Sequence, residues 1–129
     1  MDKPDAIPAH GLRTLSAGDW IGAVVTLLGA VALVHEALWR LPAWEGMFRD
    51  FAAYDSLPKL TMVVLWKPFA CLLAIGPHAT LAIALLPPSR GLAWRRAWIV
   101  GGFVLGVAAL WFVEWAVRLP LEQLAEAIR

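Results

Sequence analysis

The sequence predicts an all-α, integral membrane protein: three transmembrane helices with short amphipathic interfacial helices, forming one membrane domain over residues 1–129. Three observations predict it. Hydrophobic residues make up 60% of the chain and charged residues 16%, more apolar surface than so short a soluble domain can bury. Three apolar runs are each at or beyond the ~20 residues that cross a bilayer core. Eight Trp residues gather near the ends of those runs, where amphipathic rings occupy membrane interfaces.

The N-terminal tail, residues 1–17, is mixed, proline-containing and carries both charge signs. It lacks the basic start and small-residue cleavage site of a signal peptide, so the first run is expected to be a retained anchor. Ser16-Ala17-Gly18-Asp19 has capping-box spacing and announces the first helix. The first span covers 20–39, with Trp20 and Trp39 at its ends, and Arg40-Leu41-Pro42 is expected to end it. An interfacial helix is expected over 44–57, where Met47, Phe48, Phe51 and Tyr54 fall at helical spacing opposite Arg49 and Asp50.

The second span, 60–86, exceeds a single crossing and contains Pro68 and Pro77, so it is expected to be kinked or tilted, with Pro87-Pro88 as its stop. The third covers 97–118, with Trp94, Trp98 and Trp115 near its ends and Leu119-Pro120 closing it. In the tail, 120–129, Leu121, Leu124, Ala125 and Ile128 repeat at helical spacing opposite Glu122 and Glu126. Each amphipathic piece fits either the membrane surface or a face of the protein's own helices.

With three spans, the tail and the second connection share a side carrying Lys3, Arg13, Arg90, Arg95 and Arg96. The opposite side carries Arg40, Arg49, Lys59, Arg118 and Arg129, with Lys67 near its interface. A count of cations does not decide the orientation. The short connection before Trp98, with Arg90, Arg95 and Arg96 and no acid, favours the cytoplasm, hence a cytoplasmic N-terminus.

Ionisable groups at membrane depth are costly and therefore informative. Trp20 and Trp98 mark the start of two parallel helices. Glu36 and Glu114 each follow their marker at about 24 Å of helical rise, so both reach one layer, with His35 adjacent to Glu36. Arg40 and Arg118 follow these acids by one turn, and the antiparallel second helix brings Lys67 toward the same layer. Two readings fit: an ion or proton site, or interfacial groups satisfied by each other and by headgroups, with long side chains snorkelling. The edge position favours the second. His78 lies deeper, after Gly76-Pro77, and is expected to hydrogen-bond within the packing, because no partner shares its depth.

Gly18, Gly22, Thr26 and Ala30 form a four-residue stripe on the first helix, and Gly102 and Gly106 make a GxxxG on the third. Such residues let helix backbones approach closely in lipid, and the two stripes are expected to join these helices. An outward face for a partner subunit is the alternative.

Residues 47–61, Met-Phe-Arg-Asp-Phe-Ala-Ala-Tyr-Asp-Ser-Leu-Pro-Lys-Leu-Thr, combine a phenylalanine-containing amphipathic turn with Leu57-Pro58-Lys59-Leu60-Thr61 and the apolar Met62 to Trp66. This resembles a motif of the type II secretion F family of inner-membrane proteins. That family's cytoplasmic helical domains have no counterpart here. The resemblance implies a non-enzymatic inner-membrane part, bacterial in origin, that packs against other subunits.

No Walker loop, GxSxG, His-Glu-x-x-His or CxxC is present. The three His residues are far apart, which makes transmembrane haem ligation unexpected, and neither cofactor nor metal is expected. A net charge of +1 gives no footprint for nucleic acid. The expected partners are membrane lipids and either other membrane subunits or further copies of the chain. Two functions remain: a structural or accessory subunit of an inner-membrane assembly, or a small homo-oligomeric, holin-like pore or transport element using the polar cluster.

Overall fold

The computed structural model describes residues 15–86 and 90–127. The tail through residue 14, Pro87 and Pro88, and Ile128 and Arg129 lie outside the described residues. Among the described residues every regular element is helical: α1 (Ala17–His35), a π turn (Glu36–Arg40), α2 (Leu41–Asp50), a 3-10 turn (Tyr54–Ser56), α3 (Lys59–Leu65), α4 (Lys67–Leu85) and α5 (Leu92–Ala127). Three helical stretches, Ala17–Asp50, Lys67–Leu85 and Leu92–Gln123, are long and apolar enough to cross a membrane.

Ser16 caps α1 through a reciprocal box. Its Oγ accepts the Asp19 amide at 3.3 Å, and the Asp19 carboxylate accepts the Ser16 amide at 2.8 Å, satisfying two of the donors that a helix start leaves open.

The helix does not end at Pro42, as the sequence suggests. Proline lacks an N–H and its ring crowds the carbonyl four residues back. The chain accommodates this by widening one turn: the Leu41 amide reaches back five residues to the Glu36 carbonyl. Helix then continues to Asp50, so the expected interfacial helix begins as an extension of the first span. It closes in a Schellman turn, with the Ala52 amide on the Arg49 carbonyl and the Ala53 amide on the Phe48 carbonyl, both at 3.0 Å. Ala52 sits in the left-handed region at φ 51°.

The second span breaks at Trp66, whose backbone is extended (φ −69°, ψ 112°). Pro68 explains the break, because it cannot donate to the Val64 carbonyl. The third span also differs from expectation: Pro120 lies inside α5, which runs on to Ala127.

α1 and α5 run parallel and α4 antiparallel to both, and each of the three packs directly on the other two. Ala23 packs with Leu81, Ala84 and Ile99 at one end, and Leu33 with Ala74 and Ala109 midway. At the other end Ala37, Leu41, Phe48, Leu57, Val64, Ala70 and Val113 form the largest cluster. Inward positions along the spans are mostly small, whereas Ile21, Leu72 and Val104 stand 65%, 64% and 58% exposed. Small residues inside and large apolar ones outside is the reverse of a water-soluble bundle.

Candidate functional site

The π turn sets the geometry of the candidate site. Arg40 Nη1 lies 2.6 Å from Glu36 Oε1 on the same turn and 2.9 Å from Glu114 Oε1 on α5. Arg118 Nε lies 3.6 Å from the other oxygen of Glu114. Two carboxylates and two guanidiniums thus form one electrically balanced chain across two helices. Glu36 is its most enclosed member, with 14% of its side chain exposed, and Arg118 its most open, at 71%.

The remaining residues of the expected layer make no ion pair with these acids among the described residues. His35 is exposed and stacks on Trp39, with ring centroids 5.5 Å apart. Lys67 is exposed and makes no ion pair among the described residues. It lines a cleft with Glu45, Tyr54 and Trp66. His78 is half-buried, and its Nδ1 lies 2.8 Å from the Ala74 carbonyl. The carbonyl that Pro77 frees is that of Leu73, one position earlier. Among the described residues no group of three or more His, Cys, Asp or Glu could hold a metal ion.

The small-residue stripes meet around Gly102. A methyl group there would collide with Thr80 Oγ1 of α4 and lie 3.1 Å from Thr26 Cγ2 of α1. Thr26 is 2% exposed, and its hydroxyl is 2.9 Å from the Gly22 carbonyl and 3.3 Å from that of Ile99. Gly22 faces Ile99, and Ala30 is fully buried. Gly106 instead faces Pro77 of α4 at 3.7 Å, so the GxxxG packs on both neighbours and not on α1 alone. Gly18 is exposed; a methyl group there would meet only its own Ser16.

Three polar contacts escaped the sequence reading. Arg96 grips Asp19 with two bonds, 2.7 and 3.0 Å, tying α5 to the start of α1. The signal was present, since these residues sit just before the markers Trp20 and Trp98. Arg95 is 1% exposed and donates from Nε to the Arg90 carbonyl at 3.3 Å. Thr61, fully buried, donates to the Ala116 carbonyl at 2.8 Å.

Comparison with family models, with curated proteins and with solved structures gives no match.

Proposed function

We propose that the chain is an integral protein of a bacterial inner membrane, with a cytoplasmic N-terminus, acting as a non-enzymatic structural or accessory subunit. Several features support the membrane reading. The large apolar side chains point outward along three helices of spanning length. Trp20 and Trp39 are separated by about 28 Å of helical rise, and Trp98 and Trp115 by about 26 Å, close to a ~30 Å hydrocarbon core. The arginine-rich start of α5 favours the cytoplasmic side for that end. The amphipathic stretch over residues 47–61, with its resemblance to the type II secretion F family of inner-membrane proteins, supports a part that docks on neighbours.

One observation carries the subunit reading over a pore: Arg40 pairs with both Glu36 and Glu114. A conducting axis lined by these acids needs them open to water and ions, whereas here they neutralise cations of their own chain. The test is purification of the tagged protein in mild detergent, with mass and composition of what accompanies it. Different membrane proteins at fixed ratio are the expected result. A homo-oligomer alone, with vesicle ion leakage that falls on Glu36→Gln and Glu114→Gln, would replace this reading with the pore.

A further inference from the structure

Where the second span breaks, α2, the 3-10 turn, α3 and the start of α4 leave a cleft of about 490 Å³. Its lining is amphiphilic. Met62 and Val63 supply apolar surface, Trp66 and Tyr54 supply aromatic rings with polar tips, and Glu45 and Lys67 supply charge. The Glu45 carboxylate is taken up by Arg49, whose Nη2 and Nε lie 2.8 and 3.2 Å from Oε1. The same guanidinium sits 4.3 Å from the centre of the Tyr54 ring. That pair cancels its own charge. Among the residues lining the cleft, Lys67 alone carries a charge with no ion-pair partner in the described residues.

The break presents this side chain. A continuous helix through Trp66 would wind Lys67 onward with the span, whereas the extended residue resets the direction just before it. Pro68 withholds the amide that would bond the Val64 carbonyl across the break, and Trp66, 61% exposed, stands beside it. A cation and an indole at one level are the pair that anchors a span at a membrane interface.

We propose that this cleft binds one anionic phospholipid, its phosphate on the Lys67 ammonium and its acyl chain along Met62 and Val63. The assignment follows from complementarity. A water-soluble anion would leave the apolar lining without a partner. A hydrocarbon chain would leave Lys67 without a counter-ion, and a zwitterionic lipid would pair its phosphate with Lys67 but bring a cation of its own, so that the net positive charge would remain. The proposal rests on the membrane reading above.

The experiment uses the full chain reconstituted in bilayer discs of mixed phosphatidylglycerol and phosphatidylcholine, released and weighed intact by native mass spectrometry. The wild type is expected to retain one phosphatidylglycerol over phosphatidylcholine by about fivefold, the preference that one lysine gives at about 1 kcal/mol near an anionic surface. Lys67→Gln should abolish that preference and Lys67→Arg should keep it. Lys59→Gln, an exposed lysine outside the cleft lining, should also keep it. Equal retention of both lipids by the wild type, or an undiminished preference in Lys67→Gln, would overturn the site. So would loss of the preference in Lys59→Gln to the same degree, which would mean diffuse charge attraction. A cross-link from Lys67 to another polypeptide, with no lipid preference, would put a protein in the cleft instead. Failure of the membrane reading is separately visible: the protein would leave the membrane fraction in alkaline carbonate, whatever the lipid result.

Discussion

Thr61 donates its hydroxyl to the Ala116 carbonyl at 2.8 Å, and that carbonyl is the one Pro120 leaves without an amide. This relationship explains why α5 passes through a proline that ends most helices. The donor comes from α3, one helix away, so the proline is tolerated only in the assembled fold. Thr61→Val keeps the shape and removes the donor, leaving a buried acceptor unsatisfied. The expected loss is about 1–3 kcal/mol in unfolding from mild detergent. Pro120→Ala returns an amide to that carbonyl, so in its background Thr61→Val should cost under about 0.5 kcal/mol. Strictly additive losses would break the link between the two residues.

Gly102 of α5 faces side chains of both α1 and α4. Gly102→Ala should destabilise the bundle by about 1–3 kcal/mol, because the added methyl strikes Thr80 and crowds Thr26. Its neighbour Gly101 faces open space, and Gly101→Ala should be neutral or gain up to about 1 kcal/mol from helix propensity. Thr80→Ala should lessen the cost of Gly102→Ala. Equal stability of the two single alanine variants would remove Gly102 from the packing.

How far these features were legible depends on whether a local rule or a tertiary partner decides them. Glu36 and Glu114 could be set at one depth by counting from Trp20 and Trp98, since helical rise is constant. The same counting, applied one residue before Trp20 and two before Trp98, would have paired Asp19 with Arg96. For Lys67 the counting could not foresee the extended Trp66 just before it, which interrupts both rise and rotation. Pro42 and Pro120 read as stops because proline breaks an isolated helix. A π turn rescues the first and Thr61 the second, and neither compensation is local enough for the sequence to announce. The direction of the GxxxG was equally hidden: spacing names a close contact without naming the neighbour, and Gly106 found Pro77.

Ala52 holds a left-handed conformation in the turn that closes α2, at φ 51°, which costs an L-residue about 1–2 kcal/mol. It is exposed, so removing its methyl sacrifices no packing. Ala52→Gly should therefore stabilise the protein by about 0.5–1 kcal/mol net of the added freedom of the unfolded chain. Thermal unfolding in detergent checks this, and a lower midpoint would contradict the turn geometry.

Arg40 is the hub of the charged layer, and its loss should be felt unequally by its partners. Glu36, with 14% of its side chain exposed, cannot turn fully to water, so Arg40→Met leaves it as an enclosed charge without a counter-ion. The expected cost is about 1–3 kcal/mol, below that of a fully buried pair because Arg40 itself is 42% exposed. Arg118→Gln touches the same cluster through a 3.6 Å contact at 71% exposure and should cost under about 0.5 kcal/mol. Adding Glu36→Gln to Arg40→Met removes the stranded charge and should recover part of the loss. Adding Glu114→Gln should recover less, since Glu114 is 41% exposed and keeps Arg118 within reach. If Arg40→Met and Arg118→Gln proved equally mild, the layer would be a set of independent surface pairs, and the case for a locally closed cluster, and with it the argument against a pore, would lose its support.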